Sequence, residues 1–555
     1  SFPTRRSSDL KVSVKYYSNP LDALYEIVEE SYINDVISNL STLIEKYYAF
    51  YEIAQNPPAP YNHTPIELKE ALENINTTNR TFYDFYRDLR TVIATPHDFH
   101  FMSLGFKTPG GFRFDYMTAC LPFTAYVEQK EDDENPKLYI EYFPECAIYF
   151  SEEIRNFVKE MEKNEIALEK INGGDPFEFI QNFGKPYVSI KSPHAHFSAA
   201  KSRFYAFPLS YVPYNADELK MEFKFEEREP KNIDYYIYLP NFREMNGLLG
   251  TSVISQEEFD EFYESERKKH YQDFNKPNIF EMIKKYKKKK GILLEDEKSN
   301  EGITWDFQTP EENGIKCRYD ETYGLNVLVQ ESFSLNLSSA VEVIYNCTKL
   351  FYNNNHSIVV IENKNGGGRG ELSIILRQLL QAKIQNRVFV AYKATDILKT
   401  DYNNNPEEFY NVETGRPFLN YDDFMDGTPI NYSTPDKEII HNKSKMTDFL
   451  PKESRIGLEK IRKELLDLNP KKPTEIIIFT DSYSFSATSV FIKAMQNEGA
   501  AIIAGFNGNP NLTDDTFDAS QSPSSVMDFS FTEEYSNLKA LGLVIEGITV
   551  GESFE

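Results

Sequence analysis

The sequence predicts a mixed α/β protein with a helical lead-in, a β-rich middle and a C-terminal half built on a mainly parallel sheet. Two repeats of one pattern predict the last part. A strand run at 357–362, S-I-V-V-I-E, is followed by a glycine loop, a helical run at 372–382 and a further strand at 387–392. The order then recurs, with a strand at 475–479, E-I-I-I-F, a helix at 486–497 and a strand at 500–505. Consecutive strand–helix–strand units imply parallel strands with helices covering the sheet. Aromatic alternation between 117 and 238 predicts the β-rich middle.

Taken in order, residues 1–10, S-F-P-T-R-R-S-S-D-L, read as a translated sequencing adaptor and are set apart from the fold. A natural leader, including any signal peptide, is then expected upstream. Residues 11–116 form the helical lead-in. Leu21, Leu24, Ile27 and Val28, then Val36, Leu40, Leu43 and Ile44, recur at helical spacing and stop before P-P-A-P at 57–60. Residues 81–93, T-F-Y-D-F-Y-R-D-L-R-T-V-I, read as a second amphipathic helix ending near Pro96, and H-D-F-H-F begins a loop or strand.

Between 117 and 255 the runs T-A-C-L-P-F-T-A-Y-V, K-L-Y-I-E-Y-F and P-Y-V-S-I read as strands around one helix near 153–161. The run I-A-L-E-K-I-N-G-G-D-P-F-E-F-I gives strand, tight Asn-Gly turn and helix start. Such an order suits a small peptide-binding module of the PDZ kind. Residues 256–302, with a basic run from Lys284 to Lys290, read as a charged linker rather than an anion site in so acidic a chain. Residues 303–555 are the α/β core, interrupted by an Asn-rich insertion at 401–452 with few apolar residues to bury.

The chain has 555 residues, with 60 Lys+Arg against 86 Asp+Glu and a net charge of −26. That excess would repel phosphate backbones and anionic lipid, so neither nucleic acid nor a membrane surface is an expected partner. No apolar run approaches the roughly 18 residues that span a bilayer. The four cysteines, Cys120, Cys146, Cys317 and Cys347, show no C-x-x-C spacing and leave the redox compartment undecided. Sequons at Asn39, Asn62, Asn76, Asn336 and Asn442 would suit a secreted glycoprotein.

In a mainly parallel sheet covered by helices, reactive groups gather in the turns beyond the carboxyl ends of the strands. Two turns qualify. Gly366-Gly367-Gly368 lets backbone N–H groups approach a ligand, but the run lacks the Gly-Lys-Ser/Thr of a phosphate loop and the spacing of a dinucleotide site. An oxyanion donor or a plain tight turn remains. In T-D-S-Y-S-F-S-A-T-S, Ser486 precedes a helix and so stands at the positive end of its dipole, where a serine is most often the N-cap. A nucleophilic serine needs a base, and there are eight histidines. His97 and His100 share H-D-F-H-F, and His194 and His196 share S-P-H-A-H in the β-rich module. No H-E-x-x-H helix or third ligand points to a metal.

The ordered set D-x-H-F, I-N-G, W-D-F, C-R-Y-D, L-N-V-L-V-Q, N-G-G-G and T-D-S-x-S-x-S-A resembles the tail-specific, C-terminal-processing serine peptidases. The likeness is to the branch that holds the secreted eukaryotic members and the chlamydial protease-like activity factor. It implies a crotonase-like (ClpP/crotonase) α/β core, usually with a PDZ-like module, that hydrolyses polypeptides without a cofactor or metal. Ser486 would be the nucleophile and His100 the general base, with an oxyanion hole from the N–H groups of Gly367 and Ala487. Members with a Ser-Lys dyad carry the lysine about two dozen residues on, whereas this chain has none between Lys493 and Lys539. The orienting acid would be Glu546, in V-I-E-G-I-T, or a Glu beyond residue 555. Ser482 and Ala487 stand where the family usually has Gly and Thr. The resemblance further implies secretion, and a homodimer is compatible with it. An inactive peptide-binding relative and a serine esterase are the alternative readings.

Overall fold

The computed structural model describes residues 27–103 (less 58–60 and 62), 118–238 (less 131–133, 186–187 and 209–218) and 304–519 (less 312, 482 and much of 384–451), with strand pieces at 526–528, 548–551 and 553–554. The linker at 256–302, residues 1–10 and Glu546 lie outside the described residues. The chain divides into two compact units, one of residues 1–189, 199–262 and 527–550, the other of 190–198, 263–526 and 551–555.

In the first unit, α1 (Glu30–Tyr47) and α2 (Phe82–Ala94) form within the predicted helical runs, but the first stripe is corrected. Ile27 bridges Thr81 antiparallel and the Val28 N–H donates to Arg80 O at 2.9 Å ahead of α1, while Leu21 and Leu24 lie outside the described residues. α1 buries Ile33, Val36, Ile37, Leu40, Leu43 and Ile44, a single helical stripe. α2 starts at Thr81, whose Oγ1 accepts the Asp84 N–H at 3.1 Å, and buries Phe82, Phe85, Leu89 and Ile93. A five-stranded antiparallel sheet follows, β1 (Phe123–Glu128), β2 (Lys137–Tyr142), β3 (Leu168–Ile171), β4 (Glu222–Phe225) and β5 (Lys231–Asn232), with its strands adjacent in that order. α3 (Glu152–Lys163) packs on β2.

The Asn-Gly turn after β3 is as predicted: Asn172 (φ 49°) and Gly173 (φ 78°) are both left-handed, and Ile171 and Gly174 exchange hydrogen bonds across it. Asp175 then caps α4 (Pro176–Gly184) through the Glu178 N–H at 2.8 Å. Of the expected strand P-Y-V-S-I, residues 186–187 lie outside the described residues and 188–190 carry no strand; the Val188 N–H donates to Gly184 O at 2.8 Å, at the end of α4, rather than to a neighbouring strand. A helix not read from the sequence follows, α5 (Pro193–Phe204), whose residues 193–198 belong to the second unit. A separate three-stranded sheet sets Thr118–Cys120 between Ala206–Pro208 and Tyr236–Tyr238.

The second unit is built on a six-stranded sheet in the order β6 (Phe307–Gln308), β7 (Ile315–Asp320), β8 (Leu325–Gln330), β9 (Ile358–Glu362), β10 (Ile476–Thr480) and β11 (Ile502–Gly505). β6, β7 and β8 pair antiparallel; β8, β9, β10 and β11 pair parallel. Helices α6 (Leu337–Tyr352), α7 (Gly370–Leu380), α8 (Lys452–Leu466) and α9 (Ala487–Asn497) bring Ile344, Phe351, Leu376, Leu379, Leu458, Phe491 and Met495 into one core with Leu328, Val360, Ile476 and Ile478 of the strands. Each such side chain contributes about 1.5–3 kcal/mol by leaving water.

One predicted unit is corrected. Of the strand expected at 387–392, the described part, Ala391–Tyr392, pairs antiparallel with Ser553–Phe554 and not with the main sheet. The crossover before the glycine loop is instead β8–α6–β9, whose first strand the two buried polar residues Asn326 and Gln330 disguised. The insertion at 401–452 holds a hairpin, Pro429–Thr434 with Lys437–Asn442. All four cysteines are paired, Cys120 with Cys146 and Cys317 with Cys347, which their spacing alone left undecided.

Candidate active site

The two turns singled out in the sequence lie side by side at the carboxyl ends of β9 and β10, strands that pair in register from Ile358 opposite Ile476 to Glu362 opposite Thr480. After β10, Asp481 folds the chain: its Oδ1 accepts the Tyr483 N–H at 3.1 Å, and its Oδ2 accepts the Lys364 N–H of the other loop at 2.9 Å. Burial raises the Asp481 carboxyl above its ordinary pKa, and those two N–H groups pull it back. Ser484 is fixed by Thr480 Oγ1 at 2.8 Å, while its carbonyl accepts the Ser489 hydroxyl at 2.8 Å.

Ser486 stands at φ 56° and ψ −124°, immediately before α9, and its hydroxyl makes no capping bond. Left-handed backbone costs a residue with a Cβ about 1–3 kcal/mol and persists only where its surroundings impose it. Here the imposing bonds are Phe485 N–H to Asn365 O at 3.1 Å on one side and Val490 N–H to Ser486 O at 3.0 Å on the other. Capping is the ordinary reason for a serine in this place, and it does not apply. The half-buried side chain projects from the positive end of a three-turn helix.

The glycine loop packs directly on this turn. A Cβ on Gly367 (φ 87°) would fall 2.6 Å from Phe485 O, 2.7 Å from Ser486 Cβ and 2.8 Å from Ala487 N. Only glycine allows that approach. The Ala487 N–H, first in α9, has no acceptor among the described residues. Of the loop amides, Gly367's donates to Asn365 Oδ1 at 3.0 Å, whereas Gly368's has no acceptor among the described residues. Gly367 O and the backbone of Arg369 are tied to Phe333, at 2.8 and 3.1 Å.

His100 belongs to the first unit. The chain leaves α2 at Pro96, turns through His97 (φ 55°), and sets Asp98 so that its Oδ1 accepts the His100 N–H at 3.1 Å. Asp98 and His100 are buried, at 1% and 5% exposure. Phe101 stacks on Tyr48 with ring centres 4.7 Å apart. Burial, and then the charge of Asp98 beside it, lifts the Tyr48 hydroxyl well above the usual phenol range. Past His100, Met102 and Ser103 pair antiparallel with Thr549 and Ile548. The strand that follows the histidine thus lies beside residues just downstream of Glu546.

His194 and His196 stand in the first turns of α5, not among strands; His194 Nε2 lies 3.0 Å from Thr513 O. Among the described residues no three His, Cys, Asp or Glu groups gather as a metal site, and no helix is long and apolar enough to cross a membrane. Sequence reasoning missed Asp98, Glu362, Asn365 and Asp481. Three of them lie inside motifs already singled out, H-D-F-H, N-G-G-G and T-D-S, where no role was read for them.

No protein-family model matches the sequence, and no curated protein matches it. Solved structures do. A serine-to-alanine mutant of CPAF, the chlamydial protease-like activity factor, matches over 94% of this chain and 88% of its own, with a TM-score of 0.50 and 13% identity. Mature CPAF complexed with lactacystin matches over 94% and 89%, at TM-score 0.49 and 13% identity. The photosystem II D1 C-terminal processing protease matches over 86% and 81%, at TM-score 0.27 and 8% identity. The structural neighbours thus include members of a tail-specific protease family, and what the chain shares with CPAF at this identity is a mixed α/β fold.

Proposed function

We propose that the chain is a serine endopeptidase with Ser486 as nucleophile and His100 as general base. The observation that carries the reading is the left-handed Ser486, whose hydroxyl makes no capping bond, packed against a glycine loop beside an amide with no acceptor among the described residues. His100 takes the hydroxyl proton as Ser486 Oγ forms its bond to the scissile carbonyl carbon. The negative charge that develops on the carbonyl oxygen is held by the N–H groups of Ala487 and of the glycine loop, where Gly368 supplies the unengaged amide beside Gly367. Collapse breaks the C–N bond, and the imidazolium returns its proton to the leaving amine. Water then releases the acyl group by the same steps in reverse.

Asp98 fixes the backbone of His100. The orienting acid is assigned to Glu546, on the strength of the pairing that lays Ile548 beside Ser103. The core is read as crotonase-like and the five-stranded module as a PDZ-like domain that presents peptide. Two disulfides and the sequons favour an extracellular setting.

The test is hydrolysis of an unfolded protein substrate beside a panel of small esters. Ser486→Ala and His100→Ala are each expected to lower peptide cleavage by about 10⁴-fold or more. Ester turnover without peptide cleavage would move the reading to an esterase, and cleavage that survives Ser486→Ala would remove the nucleophile.

A further inference from the structure

Asn365, at the start of the glycine loop, ties that loop to the serine turn. Asn365 accepts the Gly367 N–H on its Oδ1 at 3.0 Å and the Phe485 N–H on its carbonyl oxygen at 3.1 Å. Its Nδ2 donates to Gln330 O at 3.3 Å and to Glu362 Oε2 at 2.8 Å. Asn365 and Glu362 are fully buried. Glu362 ends β9 in register with Gln330 on β8 and Thr480 on β10, so its carboxyl sits in a polar row under the two turns. The count of donors in that row is short. Glu362 Oε1 and Gln330 Oε1, on cross-strand partners, are both buried acceptors without a donor among the described residues. A carboxylate would leave both unmatched, while a carboxylic acid brings the missing O–H.

We propose that Glu362 is held as a neutral acid beneath the serine turn and that, with Asn365, it is a positioning pair that sets the glycine loop against Ser486. The proposal rests on the reading of Ser486 as the nucleophile. Neither residue touches the reacting atoms. Burial carries the Glu362 carboxyl well above the ordinary carboxylate range; the bond from Asn365 opposes this and the charge of Asp481 adds to it. Asp481, from the turn after β10, is the ionisable group acting on it, and its neighbours Gln330, Thr480 and Asn365 are uncharged. The amide orientation of Asn365 is fixed, since the Gly367 N–H needs an acceptor and Gln330 O needs a donor.

The test is the rate at which a fluorophosphonate labels Ser486 in the full, disulfide-intact chain, followed from mildly acidic to mildly alkaline pH. Glutamine copies a protonated glutamate, so Glu362→Gln is expected to label within about threefold of wild type. Asn365→Asp keeps the acceptor for Gly367 but sets a carboxylate against Glu362 and Gln330 O. It should label about 10²–10³-fold more slowly at neutral pH, the scale of a displaced oxyanion donor, and recover as the pH falls and the new carboxyl is protonated. A merely structural asparagine gives no such recovery. Thermal melts supply a second readout. Above the ordinary carboxylate pKa the unfolded chain has released the Glu362 proton and the folded chain keeps it, so wild-type stability falls as pH rises, up to the folded pKa. The melting temperature of Glu362→Gln should therefore gain on wild type over that window. Slow labelling of Glu362→Gln, a melting gap that stays flat with pH, or wild-type labelling of Asn365→Asp at neutral pH overturns the proposal. A wild-type chain that takes no label overturns the nucleophile reading and the positioning role with it, while the melting gap still decides the protonation of Glu362.

Discussion

At Ser486 stability and chemistry pull in opposite directions. Its left-handed backbone is unfavourable for any residue with a Cβ, and no capping bond offsets the cost. Ser486→Gly should therefore stabilise the chain by about 0.5–1 kcal/mol in urea titrations while abolishing labelling and hydrolysis. A destabilised glycine variant would show that the serine side chain is held by contacts this account lacks. Gly367→Ala should lower both stability and labelling: an added Cβ meets Phe485 O, Ser486 Cβ and Ala487 N inside van der Waals distance, so labelling should fall by at least about 100-fold even where the chain still folds. At this scale the sequence was informative where a residue type is rare for its place. Three glycines after a buried strand and a serine in a small-residue turn stood out. Glu362 did not, because a glutamate closing an apolar strand looks like a solvent-facing end; its full burial depends on strands β8 and β10, far away in the chain.

The elements form where local spacing and capping agree. α6 begins at Asn336, whose Oδ1 accepts the N–H groups of Ser338 and Ser339 at 3.0 and 3.3 Å. Asn336→Ala should cost about 1 kcal/mol in a chemical melt and leave activity unchanged. Ile478, buried at the centre of β10, should cost about 2–5 kcal/mol when cut to Ala. β9, β10, α9 and the Asn-Gly turn after β3 were legible because each carries a period or turn chemistry of its own. α5 was not: P-H-A-H-F-S-A-A has short and aromatic residues on every side, and Ala195, Phe197, Ala199 and Ala200 are all buried, so no polar face marks the helix. The strand read at 387–392 failed for the opposite reason. Its β-forming residues promised a strand, but which sheet a strand joins is decided by partners elsewhere, and for Ala391–Tyr392 the partner is Ser553–Phe554.

For the whole molecule, each unit carries one covalent tie of its own, Cys120–Cys146 in the first and Cys317–Cys347 in the second. Pairing was invisible in the spacing, because it follows from strands and helices meeting in space. The second closes a loop of 30 residues, so its loss should remove about 3–4 kcal/mol in the chain-entropy view. Melting under reducing and non-reducing conditions measures this, and identical curves would contradict it. The most direct test of the account as a whole is mass-spectrometric mapping of a fluorophosphonate adduct on the folded, oxidised chain. A single adduct on the peptide that contains Ser486, lost in Ser486→Ala, is the predicted result. An unlabelled chain, or an adduct elsewhere that survives that substitution, would contradict it.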